Sequence, residues 1–342
     1  MRRKSFLLLA LLLIVFTFSA CAKQPEQKPQ QNAPQTTPNT EGQKVNVVGA
    51  VYDQWKGSGH SKAVEADNPA EAPGMNEKGK CFKCHNGYAF ELNADSLKGI
   101  GILKGASCDT CHVGYAQKLL AAGNVQVPIG NIKGGKGTLC IACHNGRGKK
   151  PDQKSAPHGS VQADMLFSKS GAQVEGFKYG QHGHGKTEDT CLSCHMAKDK
   201  NGIKDHTFKM NVANIANSCG KCHKNITSFN PEAKADYDGD GSKKGIQDEV
   251  SGLNKMLEAE ILKKLNGGKF ISKGGKVVFQ DASGKALETP PDEKVYNAAW
   301  NYFFVRNDGS KGIHNPTYAI QLLQQSYKNL TGKDVPNAEI RK

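Results

Sequence analysis

The triplet Cys-x-x-Cys-His recurs five times, as Cys81, Cys84 and His85; Cys108, Cys111 and His112; Cys140, Cys143 and His144; Cys191, Cys194 and His195; and Cys219, Cys222 and His223. Ten of the eleven cysteines fall in these motifs, and the other is Cys21. Two thiols three positions apart reach the two vinyl groups of one haem and form thioethers. The adjacent histidine is then directed beneath the ring as the proximal iron ligand. Structural zinc needs four Cys/His ligands, usually from paired motifs, and its code has no fixed histidine after the second cysteine. Five identical triplets would also be an odd disulfide framework for an exported chain. The motifs therefore imply five haem c groups, each held by two of these cysteines with its motif histidine on the iron.

Such a chain must wrap around its cofactors. Only 37% of residues are hydrophobic and 7% aromatic, with 38 glycines, a thin basis for a protein-only core at 342 residues. The expected fold is mainly α with extensive loops, a haem-packed multihaem cytochrome with little sheet. Longer helices are expected only near the C-terminus. Ile246, Val250, Leu253, Leu257, Ile261 and Leu265 recur at three- and four-residue intervals, which marks an amphipathic helix. Residues 295–305 and 316–330 read as two more, with Asn315-Pro316 a helix start. Between them, residues 267–292 hold Gly-Gly pairs, an alternating Lys276-Val277-Val278-Phe279 segment and Pro290-Pro291, consistent with a small hairpin or an irregular insertion. This divides the mature chain into a pentahaem region, 46–245, and a C-terminal helical region, 246–342. Apolar faces on the late helices could pair two subunits or pack within one chain.

The N-terminus reads as an address. Arg2, Arg3 and Lys4 precede an apolar run from Phe6 to Phe18, and Ser19-Ala20 stands before Cys21. This is a signal peptide over 1–20, too short and wrongly flanked for a transmembrane helix. Small residues before a cysteine resemble a bacterial lipobox, so Cys21 is expected to be acylated after cleavage, although Phe18 stands where leucine is usual. Residues 21–45, rich in Gln, Pro, Thr and Asn, cannot bury enough surface to fold and read as a tether, on the order of 25–30 Å in reach. The expected location is the periplasmic, outer-membrane or cell-surface side of a bacterial membrane.

The formal net charge of +14 falls once the basic signal residues and the haem propionates are taken into account, leaving a mildly basic protein. No stretch combines a basic cluster with interleaved aromatics, so no nucleic-acid partner is inferred.

Six of the eleven histidines lie outside the motifs: His60, His158, His182, His184, His206 and His314. Five open iron faces would use most of them. Bis-histidine coordination leaves no vacant position and lacks the methionine ligand that raises potential, which describes low-potential, low-spin centres built for electron transfer.

The run from Cys191 through His195 and Met196, then Asp205-His206, then Cys219 to His223, resembles the back half of pentahaem ammonia-forming cytochrome c nitrite reductases. Gly183-His184-Gly185, Gly59-His60, Gly312-Ile313-His314 and the helical stretch after the fifth motif fit the same plan, which many non-enzymatic multihaem cytochromes share. The resemblance implies His206 opposite His112, His60 opposite His144, His314 opposite His195, and His184, in preference to His182, opposite His223. It leaves His158 to close the first site opposite His85, with His182 a second candidate there. The departures count against catalysis. His85 stands where those enzymes usually have lysine. The arginine they place before the first motif is missing, and Asn145-Gly146-Arg147 replaces their Glu-Tyr pair.

Asp236, Asp238, Asp240 and Gly241 resemble the start of an EF-hand loop, a candidate calcium site with Gln247 at the twelfth position and Asp248 and Glu249 just beyond. The expectation is a pentahaem electron-transfer lipoprotein in an anaerobic respiratory or extracellular chain, working with redox partner proteins or an extracellular acceptor. A reductase of nitrite or a similar small oxyanion with an open first haem, and a subunit of a conductive filament or surface complex, are the alternatives.

Overall fold

Motif cysteines at i and i+3 and a histidine at i+4 share one face only if the backbone makes a helical turn, and four of the five motifs do so. The computed structural model describes residues 46–62, 79–94, 104–152, 155–289 and 291–342; the signal segment, the tether and Cys21 lie outside these. The short helices are α1 (Val47–Lys56), α2 (Gly79–His85), α3 (Gly87–Leu92), α4 (Cys108–His112), α5 (Tyr115–Ala122), α6 (Thr138–Cys143), α7 (Gln162–Leu166), α8 (Cys191–His195) and α9 (Ile215–Ser218). Motifs one to four lie on α2, α4, α6 and α8, and the fifth follows α9 directly. Three longer helices close the chain, α10 (Ile246–Lys264), α11 (Glu293–Asp308) and α12 (Pro316–Thr331).

Two antiparallel hairpins complete the fold, β1 (Asn124–Val127) with β2 (Gly130–Lys133), and β3 (Lys269–Lys273) with β4 (Lys276–Gln280). The second lies in the stretch read from sequence as a hairpin or insertion. Gly274 and Gly275 turn it with φ of 58° and 73°, the left-handed pair that a two-residue hairpin needs. The first hairpin was not expected, although Val125, Val127 and Ile132 alternate inward as strand residues do.

The late helices pack on one another and carry more protein core than the overall composition suggests. Leu253, Leu257 and Ile261 of α10 meet Tyr296, Trp300 and Phe304 of α11 and Tyr318, Ile320 and Leu323 of α12 in one buried cluster. Each such side chain contributes about 1.5–3 kcal/mol on burial. Ala156, Val161, Met165, Ala233 and Tyr237 from the haem-motif region join that cluster. Asn315 caps α12 by accepting from Tyr318 N–H at 3.0 Å, and Pro316 takes the first helical position. A second, smaller cluster gathers Phe90, Ala116, Leu119, Ile132 and Ile141 around α3, α5 and α6. Among the described residues no helix is long and apolar enough to cross a membrane.

Candidate metal centres

Close backbone approach brings the third and fourth motifs together. A Cβ on Gly137 would lie 1.9 Å from Thr190 Oγ1, so only glycine fits there. Thr190 Oγ1 donates to Gly134 O at 3.0 Å, and Lys136 N–H donates to Asp189 Oδ1 at 2.9 Å. Thr190 sits at φ 39°, a strained value for a β-branched residue, immediately before Cys191. The thiols of Cys140 and Cys191 meet as a result, and those of Cys84 and Cys143 meet likewise. None of the ten motif cysteines is in a disulfide.

Each motif histidine faces one histidine from elsewhere in the chain. Ring centroids are 6.3 Å apart for His85 and His158, 6.4 Å for His112 and His206, and 5.9 Å for His144 and His60. They are 6.1 Å apart both for His195 and His314 and for His223 and His184. An iron bound between two imidazole nitrogens at about 2 Å from each requires centroids about 6 Å apart. The five spacings fit a haem iron.

The hydrogen bonds of the rings test that fit further. A carbonyl or carboxylate oxygen can only accept here, so a ring nitrogen facing one carries the proton and leaves the other nitrogen's lone pair for a metal. His184 Nδ1 donates to Ile313 O at 2.7 Å, His195 Nδ1 to Phe208 O at 3.1 Å, and His206 Nδ1 to Lys204 O at 2.8 Å. His144 Nδ1 donates to Gln162 Oε1 at 3.3 Å, and His314 Nδ1 to Asp308 Oδ1 at 2.6 Å. All five then present Nε2 as the donor atom. Burial holds the imidazoles of His60, His144, His184 and His195 below their ordinary pKa, which keeps them in the neutral, metal-binding form. For His314 burial works the same way, but the adjacent Asp308 carboxylate outweighs it and raises the ring above its usual value.

The first pair differs. Ser160 N–H donates to His158 Nδ1 at 3.0 Å, so the neutral ring carries its proton on Nε2. His85 Nδ1 is buried and meets no acceptor among the described residues. Burial first, and then the positive charge of Arg147, push His158 down to about 4. Arg147 itself is held at φ 59° with its guanidinium donating to Cys143 O at 2.6 Å and Asn145 O at 3.2 Å. His182, the histidine left over, also accepts at Nδ1, from His184 N–H at 3.4 Å. That separates it from its neighbour His184, whose Nδ1 donates.

Phe208 links three of the pairs. Its ring lies 4.5 Å from His60 and 6.0 Å from His206, and its carbonyl receives the proton of His195. It adopts φ 59°, a strained value for so bulky a residue. Nothing in its sequence surroundings marked it.

At the acidic loop, Asp236 and Asp238 come together with Glu249 of α10, with carboxylate oxygens within 4.8 Å of one another. Asp240 does not join them; it pairs with Lys244 and accepts from Ser242 N–H. Gln247 turns away to donate to Ser310 O at 3.1 Å. Glu249 takes the acidic position because α10 begins at Ile246 and its first turn swings that side chain back over the loop. There it accepts from the N–H groups of Tyr237 and Lys244 at 2.7 and 2.9 Å. Burial, followed by the charge of Glu249, pushes Asp238 up to about 6.

Motifs that attach haem and a helical fold folded around paired histidines define a multihaem c-type cytochrome. The chain belongs to the cytochrome c552 family, whose model matches residues 157–335. A second model, for cytochrome c554 and c-prime, matches residues 49–113. No curated protein matches the sequence significantly. Among solved structures, the outer cell wall cytochrome OcwA is similar in fold, with a TM-score of 0.52 and 20% identity over 82% of this chain. The match covers 50% of OcwA, so the chain spans about half the length of that structure.

Proposed function

We propose that this protein carries electrons through five covalently attached haems, each held between two histidines. The ligand pairs are His85 with His158, His112 with His206, His144 with His60, His195 with His314, and His223 with His184. The observation that carries this reading is the recurrence of one ring spacing, 5.9–6.4 Å, at all five motifs. Bound haem supplies a one-electron couple at each site. The protein's part is to saturate the iron, exclude exogenous ligands and hold the sites close. Cys84 against Cys143 joins the first site to the third, and Cys140 against Cys191 joins the third to the fourth. Phe208 bridges the second to the third, and the Ile313 carbonyl ties His184 of the fifth to the segment that carries His314 of the fourth. The third site is thus a junction with three neighbours.

The place of OcwA in the outer cell wall supports a cell-surface location, and the lipobox-like sequence supports an anchor at Cys21. The physiological partners would be redox proteins or an extracellular acceptor in an anaerobic chain. Intact mass of the purified protein should show five haem additions, loss of residues 1–20 and an acylated Cys21. A mass with fewer haems, or an unmodified mature N-terminus, would sink the corresponding part.

A second reading has one observation in its favour. Because His158 Nδ1 accepts a hydrogen bond, that ring is poorly set to bind iron through Nε2. The first site could then stay open, as in a reductase of nitrite or a similar oxyanion, with Arg147 supplying positive charge nearby. Carbon monoxide binding by the reduced wild-type protein distinguishes the two. No binding favours the carrier, and one reactive haem with nitrite turnover favours the reductase.

The acidic loop is further proposed to take a calcium ion through Asp236, Asp238 and Glu249, oxygen ligands of the kind that ion prefers. Calcium titration of the chelator-treated holoprotein should show one site that Glu249→Gln removes. Equal affinity in both proteins at millimolar calcium would dispose of the idea.

A further inference from the structure

Among the described residues, only the fourth histidine pair has a carboxylate behind one of its rings. The proton-bearing nitrogens of His144, His184, His195 and His206 all face neutral amide or carbonyl oxygens. His314 Nδ1 instead donates to Asp308 Oδ1 at 2.6 Å.

The position of Asp308 makes this contact hard to explain as packing. Its side chain is wholly buried, and it is the last residue of α11, where the unpaired carbonyls of a 16-residue helix already concentrate negative charge. No lysine or arginine pairs with it among the described residues. Its other oxygen accepts from Ser310 N–H at 3.3 Å and from the Ser310 hydroxyl. A buried carboxylate at that end of a helix is costly unless something opposite it carries positive charge. An imidazole whose far nitrogen binds a ferric iron is such a group, since the metal draws charge out of the ring and sharpens the Nδ1–H as a donor.

We propose that Asp308 is a positioning residue that makes the haem at His195 and His314 the lowest-potential of the five. This rests on the reading that His314 is an iron ligand. A carboxylate that takes a larger share of the Nδ1 proton leaves the ring closer to imidazolate. That strengthens its donation to iron and stabilises the ferric over the ferrous state. No bond is made or broken, and the proton stays within the His314–Asp308 hydrogen bond. The fourth site joins the fifth to the junction at the third, so an electron crossing it in either direction meets an uphill step. The step sets the pace of traffic along that arm.

The test is a potentiometric titration of the full, haem-loaded protein, followed by electron paramagnetic resonance, for wild type, Asp308→Asn, Ser310→Ala and His314→Ala. Asp308→Asn should move one haem's reduction equilibrium at least about tenfold toward the reduced form, about 59 mV for a one-electron couple. All five haems should remain low-spin and the other four should not move. Ser310→Ala frees the carboxylate of a competing donor and should move the same haem the other way. Loosened packing would not produce opposite signs from the two variants. His314→Ala should turn one haem high-spin. If it does and neither of the first two variants shifts a potential, the role of Asp308 is wrong while the ligation stands. If His314→Ala leaves every haem low-spin, His314 is not a ligand and the proposal falls with it.

Discussion

His158→Ala is expected to convert one of the five haems from low-spin to high-spin and to open it to carbon monoxide. The other four should be unchanged. Among the described residues Ser160 N–H alone is hydrogen-bonded to the His158 ring, at the nitrogen that donates in His184, His206 and His314. The His158 backbone carbonyl is tied to α11 through Asn307 Nδ2 at 3.3 Å. Loss of the imidazole should therefore remove a ligand without disturbing the surrounding loop. The change should reach about one-fifth of the haem absorbance, read as the high-spin fraction and the carbon monoxide difference spectrum. His182→Ala, in which the removed ring also accepts at Nδ1, should leave all five spectra as they are. If His158→Ala and wild type bind carbon monoxide equally, the first site was never closed by this residue and the reductase reading gains.

The second large effect is on stability. Trp300→Ala should lower the unfolding free energy of the holoprotein by about 3–5 kcal/mol, the range for emptying a large aromatic site in a packed core. Trp300 is 1% exposed and stacks on Phe304 with ring centroids 5.6 Å apart and planes 19° off parallel. It lies where α10, α11 and α12 share one cluster, so little can move in to fill the space. Trp300→Phe keeps an aromatic ring over Phe304 and leaves a smaller cavity, so it should cost about half as much. Its indole N–H meets no acceptor among the described residues, so little is lost with it. Guanidinium unfolding followed by far-ultraviolet circular dichroism gives both numbers. An alanine variant as stable as wild type would mean that α11 is not anchored here.

Much of this arrangement could be read from the residues, and the exceptions have physical causes. The C-terminal helices follow from the spacing of Ile246, Val250, Leu253, Leu257 and Ile261, and from the cap at Asn315-Pro316, because both signals are local. The density of the core there could not be read from composition, since an average over the chain dilutes aromatics gathered in α11 and α12 with a glycine-rich motif region. The histidines that lie face to face at the second to fifth motifs are the ones the resemblance pairs, and His158 lies against His85, but no spacing within the sequence could have given these approaches. Their partners meet through folding, not through proximity along the chain. Gln162, Phe208 and Asp308 carried no signal, because what matters in each is a single oxygen or ring face that only the folded backbone aims. Glu249 was near to hand, two residues past the position an EF-hand pattern prescribes, and α10 turns it inward. The β1–β2 hairpin had its alternation in view, but Pro128 and Ile129 make a turn without the usual glycine or asparagine pair.

Closed on haem iron as proposed, the histidine pairs would also act on the chain as clasps. His314 is separated from His195 by everything from α9 to α11, and His60 from His144 by α2 to α6 and a hairpin among the described residues. Each pair that closes on a metal therefore removes a long loop's freedom from the unfolded state. Because loop entropy grows only slowly with length, the longest clasp costs little more to close than the shortest. The chain can thus afford fasteners drawn from opposite ends of its sequence. A polypeptide delivered without its cofactors would lose all five clasps and keep its two apolar clusters, one on α10, α11 and α12 and one around α3, α5 and α6. On that reading, loading the metal centres and fixing the loops between the paired histidines become one event.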